Sequence, residues 1–241
     1  MAVLEARGLN VRFGGHHAVR DVDLDVDAGE IVGLIGPNGA GKTTTFNAVS
    51  GVQKCTGTVS LGGVDISDAP PHKRARLGMS RTFQRLEVFG TMTAYDNIRT
   101  AAEIAARSRR DSMREAVAIT DQVVDLIGLG DIVGRRADAL PTGQARLVEL
   151  GRVLATKPKV VLLDEPASGL DDVETRRFAE VLGTLRDDGL AVLLVEHDID
   201  LVMELCSSIF VLNLGELIAS GSAEQVRNDP AVQEAYLGAA V

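Results

Sequence analysis

The chain has 241 residues, 45% of them apolar, and a formal net charge of −9. That supports a sizeable core without disulfides and argues against a nucleic-acid-binding surface over the whole chain. Its two cysteines, Cys55 and Cys206, fall in no metal or redox spacing, which predicts a reducing compartment. No apolar run approaches the ~20 residues needed to cross a bilayer, so any service to a membrane requires a partner that spans it. Residues 1–7 also lack the basic-then-apolar layout of a signal peptide.

In chain order, the first thirty residues predict β-structure. Asp21–Asp27 alternates acidic and apolar residues, giving one wet and one packed face. Ile31–Ile35 is a short, β-branched apolar run suited to a buried parallel strand. It leads directly into Gly36-Pro37-Asn38-Gly39-Ala40-Gly41-Lys42-Thr43-Thr44, which fits G-x-x-x-x-G-K-[ST]. Thr43–Val49 then reads as a helix ending at Ser50-Gly51. Strand, glycine-rich turn and helix start together make a phosphate cradle. Backbone N–H groups turn inward, the helix N-terminus adds positive potential, Lys42 reaches the terminal phosphates, and the Thr43 hydroxyl can ligate Mg²⁺. The residues themselves therefore predict binding of a nucleoside triphosphate.

Downstream, Thr58–Leu61 and Val64–Ile66 flank Gly62-Gly63 as a tight hairpin. Tyr95–Ala106 and Arg114–Ile127 predict helices, with Arg107-Ser108-Arg109-Arg110 as a solvated connection between them. Val160–Asp164 and Ala191–Val195 read as strands covered on both faces. Between them Asp172–Arg186 is helical by pattern, with Val173, Phe178, Val181, Leu182 and Leu185 on one side and Gly189 as terminator. Asp164, at a strand's carboxyl end, can hold a Mg²⁺ shell, and Glu165 beside it can orient or deprotonate a water.

Leu140-Pro141-Thr142-Gly143-Gln144, a following helix, Asp164-Glu165-Pro166-Ala167-Ser168-Gly169-Leu170-Asp171 and then His197 resemble, in order and spacing, an ABC-type ATPase nucleotide-binding domain over essentially the whole chain. The resemblance implies an α/β fold: a P-loop NTPase core with an antiparallel β subdomain and an inserted α-helical subdomain. It divides the chain into 1–87 (first part of the core, with the β subdomain and phosphate loop), 88–156 (helical subdomain with the signature segment) and 157–241 (second part of the core). It implies that Phe13 stacks on adenine with Val19 beside the base or ribose. Gln84 matches the loop joining the Mg²⁺ site to a membrane subunit, Ser168–Asp171 a loop crossing between protomers, and His197 a residue contacting the γ-phosphate. Catalytic roles are thereby implied for Glu165, His197, Lys42 and Gln84. The nucleotide contacts implied are the 36–44 loop with Phe13 and Val19, plus Thr142, Gly143 and Gln144 from a facing chain; the metal contacts are Thr43, Gln84 and Asp164. Taken singly, Phe13 reads as core packing and His197 as a structural histidine. His16, His17 and His72 read as surface or loop residues.

The signature segment departs from the family's commonest form, with Pro141 at the Ser position and Thr142 at the first Gly. Leu-Pro-x-Gly-Gln is similar to the variant in branched-chain amino-acid importers. Arg12-Phe13-Gly14-Gly15, Arg81-Thr82-Phe83-Gln84 and the ending from Asn228-Asp229-Pro230 to Ala235-Tyr236-Leu237-Gly238 carry the same subfamily resemblance. It implies an ATPase using ATP and Mg²⁺ that energises uptake of a small solute. The partners implied are an identical or similar ATPase chain, integral membrane permease subunits met through Arg85, Leu86, Val88 and Phe89, and indirectly a solute-binding protein, but no nucleic acid. The implied location is cytoplasmic, peripheral on the inner face of the membrane. An exporter or envelope-lipid ATPase, a soluble ABC ATPase of DNA repair or translation, and a small-molecule kinase are the alternatives, in falling order.

Overall fold

The computed structural model describes residues 2–237. The chain opens with β1 (Ala2–Phe13) and β2 (His16–Asp27), then β3 (Ile31–Ile35), α1 (Lys42–Val49), β4 (Thr56–Leu61), β5 (Val64–Asp65), α2 (Pro71–Leu77) and β6 (Met79–Arg81). Helices α3 (Ala94–Arg109), α4 (Met113–Leu126) and α5 (Thr142–Leu154) follow. They precede β7 (Val160–Asp164), α6 (Asp172–Asp187), β8 (Ala191–Val195), α7 (Ile199–Leu205), β9 (Ser208–Asn213), β10 (Glu216–Gly221), α8 (Ala223–Asn228) and α9 (Pro230–Leu237).

Among the described residues, β2-β1-β4-β5 form an antiparallel sheet. A second sheet has the order β10-β9-β3-β8-β7-β6, parallel except at β10. The three central strands β3, β7 and β8 are buried along their whole length. Because side chains alternate across a strand, Ile31, Ile35, Val161, Leu163, Val192 and Leu194 join a core with the helices. Val32, Leu34, Val160, Leu162, Leu193 and Val195 join another with the antiparallel sheet and Phe46 of α1. The parallel arrangement brings the carboxyl ends of β3, β6, β7 and β8 to one edge, where open α/β sheets place their ligands.

The β2 alternation is as read: Val22, Leu24 and Val26 are buried and the intervening acids Asp23 and Asp25 exposed. Leu61 pairs with Val64 across the Gly62-Gly63 turn. Two expectations need correcting. Arg107–Arg109 is the last turn of α3 and not a connection, since cations are favourable at a helix C-terminus. The chain turns at Arg110 (φ 65), and the Ser112/Glu115 capping box starts α4. Val173 is 67% exposed, because Asp171 caps α6 through its side chain and the first turn projects past the core that Phe178, Val181, Leu182 and Leu185 enter. His16 and His17 lie in β2 and His72 in α2; His16 and His72 are exposed and His17 half-buried, in keeping with surface positions. Gly238 lies outside the described residues.

Candidate functional site

Leaving β3, the chain turns over residues 36–41 into α1. Gly36 (φ 151) lies so close to β9 that a Cβ would stand 2.1 Å from the Leu212 carbonyl oxygen. At Gly41 (φ 107) a Cβ would meet the Ala18 carbonyl oxygen at 2.7 Å. Only glycine fits this path. Gly41 caps α1 with no side-chain hydrogen bond, and the first turn holds no acidic residue. The helix's N-terminal N–H groups are thus left to a ligand, and an anion is the fitting one. Lys42 is buried, its Nζ donating to the carbonyls of Gly36 (2.6 Å) and Pro37 (3.1 Å). Burial lowers its pKa, with Glu165 and Asp164 acting in the opposite sense. Thr43 and Asn38 are exposed and Thr44 half-buried.

At the same sheet edge, β7 ends in Asp164 and continues into Glu165, both buried. Glu165 has φ 50, a left-handed conformation uncommon for a non-glycine residue and concentrated at functional sites. Its N–H donates to the Val195 carbonyl at 2.8 Å, pinning the turn to β8. Its two carboxylate oxygens are shared: Gln84 Nε2 donates to Oε2 at 2.7 Å, and His197 Nε2 lies 2.5 Å from Oε1. Two side chains from separate stretches of the chain therefore converge on one carboxylate. Asp164 Oδ2 is held by Arg81 Nη2 at 2.7 Å.

Phe13 is 50% exposed and so is not core packing; its ring is open to stack on a planar group. Val19 is a correction. It is fully buried in the core beneath the loop, where it supports Gly41 and offers no face to a base or ribose. Thr142, Gly143 and Gln144 open α5, whose cap residue Pro141 makes no side-chain hydrogen bond. Thr142 is exposed and packs beside Gly169. Gly143 is covered by Glu174, whose Oε1 would stand 2.3 Å from a Cβ there. The Gln144 Oε1 atom is buried without a hydrogen-bond partner among the described residues. No hydrogen bond among the described residues joins Thr142 or Gly143 to the phosphate loop of the same chain.

Several residues that the sequence reading passed over support the site. Glu196 is buried and accepts from the N–H groups of Ala167 (2.7 Å) and His197 (3.1 Å), while burial raises its carboxyl pKa. It joins the segment after Glu165 to the segment carrying His197. Arg146 donates to the carbonyls of Gln84 (2.8 Å) and Phe83 (3.4 Å) and pairs with Glu149, which accepts from the Glu87 N–H at 3.0 Å. Two charges three residues apart, set among Leu147, Val148 and Leu150, are the signal that could have found this pair. Asn97 is fully buried and clamps both backbone groups of Phe89. Arg152 Nη1 donates to the Glu87 carbonyl and stacks 4.4 Å from the Phe89 ring centroid. Phe83, Glu87, Val88, Phe89 and Arg152 line a shallow cleft of about 350 Å³.

The sequence profile described as "ABC transporter" matches residues 19–168, which include the phosphate loop, Gln84, the 140–144 segment and Asp164-Glu165. The chain is an ATP-binding member of the ABC transporter family. Like that family it hydrolyses ATP, as a subunit of a transporter complex with membrane permease components. A profile described as "Branched-chain amino acid ATP-binding cassette transporter" matches residues 216–241. The chain is 40% identical to the high-affinity branched-chain amino acid transport ATP-binding protein BraF of Pseudomonas aeruginosa, over 99% of this chain and 98% of that one. Identity to the LivG protein of Escherichia coli K12, of the same description, is 39% at the same coverage. The lipopolysaccharide export system ATP-binding protein LptB of Haemophilus influenzae is 37% identical, over 99% and 98%. Among solved structures, the ADP conformation of MJ1267, an ATP-binding cassette of an ABC transporter, superposes with a TM-score of 0.87 at 28% identity, covering 99% of each chain.

The glycine-only path around the uncapped α1 N-terminus fits a triphosphate. No cluster of three or more His, Cys, Asp or Glu able to hold a metal occurs among the described residues. A hydroxyl, a carboxylate and an amide, from Thr43, Asp164 and Gln84, are hard oxygen donors of the kind that suits Mg²⁺, an ion held by few protein ligands together with substrate phosphates.

Proposed function

We propose that the chain energises uptake of branched-chain amino acids, working as a head-to-tail dimer with an identical or paralogous copy on the inner, cytoplasmic face of the membrane. The match of residues 216–241 to the branched-chain amino acid profile is the observation that carries this solute. A second reading, export of an envelope lipid, is favoured by the 37% identity to LptB. Reconstituting the chain with permease and binding protein from neighbouring reading frames tests both. Stimulation of ATP hydrolysis by leucine, isoleucine or valine supports import; stimulation by lipopolysaccharide alone sinks it.

In this reading the 36–44 loop and the α1 N-terminus hold the β- and γ-phosphates, Lys42 leaves its loop carbonyls for a phosphate oxygen, and Phe13 stacks on adenine. Mg²⁺, when bound, neutralises charge on the phosphates, and Thr43, Asp164 and Gln84 would hold it. Glu165 orients the attacking water and takes its proton, while His197 holds Glu165 in place and faces the γ-phosphoryl group. Thr142, Gly143, Gln144 and the Ser168–Asp171 loop complete the facing protomer's site, so ATP closes the dimer and loss of the γ-phosphate contacts releases it. Core segments 1–87 and 157–241 carry the nucleotide, and 88–156 carries the signature segment. Arg85, Leu86, Val88 and Phe89, next to Gln84, pass the motion to the permease.

A further inference from the structure

Arg81 ends β6 as a buried cation, its side chain 8% exposed, and it engages the one carboxylate expected to serve a metal. Its Nη2 donates to Asp164 Oδ2 at 2.7 Å. Nη1 donates to Asn47 Oδ1 (2.6 Å) and Ser50 Oγ (3.0 Å), both at the C-terminal end of α1. Nε donates to the Thr82 carbonyl at 3.2 Å. The guanidinium lies 5.6 Å from the ring centroid of Phe46 and 5.0 Å from that of Phe83. One planar group thus joins the phosphate-loop helix, the end of β7 and the start of the segment that carries Gln84.

We propose that Arg81 is a positioning residue of the nucleotide–metal site: it fixes Asp164 in one orientation, occupies Oδ2, and leaves Oδ1 for the Mg²⁺ shell. The inference rests on the reading of Asp164 as a metal residue and names the group that orients it. A buried ion pair is weak evidence for stability, because desolvation offsets most of the attraction. A role in orienting a carboxylate is better matched to this geometry, since the fork makes charge-assisted bonds from fixed directions. Lysine keeps the charge but cannot reach Asp164, Asn47 and Ser50 together. Without Arg81, the Asp164 carboxylate is a buried anion free to turn from the metal position.

The test uses the full chain in a Glu165→Gln background, so that bound ATP persists. ATP affinity is measured in EDTA with a fluorescent analogue, and Mg²⁺ is then titrated into the nucleotide-loaded protein. Arg81→Met and Arg81→Lys are expected to keep metal-free ATP affinity and to weaken Mg²⁺ binding about 10–100-fold, the usual effect of losing a group that orients a ligand. Asp164→Asn should do the same, and Arg81→Met should add nothing to it. Arg81→Lys, which retains the buried charge, serves if Arg81→Met does not fold. Parental Mg²⁺ affinity in both Arg81 variants, alongside a loss in Asp164→Asn, overturns the proposal alone. Retained Mg²⁺ affinity in Asp164→Asn overturns the metal reading of Asp164 and the proposal with it. Equal loss of metal-free ATP affinity in the Arg81 variants makes Arg81 a prop of the fold and likewise overturns it.

Discussion

Gln84 and His197 share a single carboxylate: one donates to Glu165 Oε2 at 2.7 Å, and the other lies 2.5 Å from Oε1. The strained backbone at Glu165 persists because β8 holds its N–H and the two side chains hold its oxygens. Removing the negative charge while keeping the shape should abolish proton acceptance and spare nucleotide binding. Glu165→Gln is expected to slow ATP turnover about 10²–10⁴-fold. ATP affinity should stay at the parental level, and an ATP-dependent dimer should accumulate on size exclusion. Turnover at the parental rate would remove Glu165 from the chemistry.

Lys42 rests on two carbonyls of its own loop, so its ammonium is already dehydrated and one movement away from a phosphate. A hydrogen bond to a charged group contributes about 1.5–3 kcal/mol. Lys42→Ala should therefore weaken ATP binding roughly 10–100-fold, read by titration with a fluorescent nucleotide. An unchanged affinity would count against the phosphate-loop assignment.

Arg146 and Glu149 are each 6% exposed at the side chain and bond the backbone of the segment carrying Gln84. Either Arg146→Met or Glu149→Leu leaves a buried, unpaired charge and should cost about 3–5 kcal/mol in urea denaturation. The double variant should cost clearly less than the sum, because no lone charge remains. Strict additivity would show that the two residues act separately.

The Cys206 thiol is buried among apolar groups, which pushes its pKa up to about 12. An unfolded thiol titrates near roughly 8.5. A folded value above the unfolded one gives a contribution that is full below about pH 8.5 and lost as pH rises towards 12, because the unfolded chain releases the proton first. Between pH 7.5 and 9.5, the stability of the parent relative to Cys206→Ala should fall by about 1.4 kcal/mol. A pH-independent difference would mean that the thiol titrates normally in the fold.

Much of the architecture was legible because burial imposes period and composition. Ile31–Ile35, Val160–Asp164 and Ala191–Val195 are continuous apolar runs and became the two-sided central strands. The 36–44 letters carry their own backbone demand, and the glycine-only path is found there. Other features were not legible, since they depend on what a residue faces. Val19 has an apolar side chain wherever it sits; only the packing of β2 under Gly41 makes it floor and not wall. Val173 continues an apolar pattern but lies in a first turn that overhangs the core. Arg81 reads as a letter beside Gln84 until β6 is laid against β7.

By itself, the order of residues determined that a strand would feed a glycine turn and a helix able to grip phosphate, because those constraints are local and sterically exclusive. Tertiary structure alone decided which carboxylate oxygens are engaged and by whom. The partners of Asp164 and Glu165 come from stretches far apart in the chain, and parallel strands bring them to one edge only when the sheet is assembled.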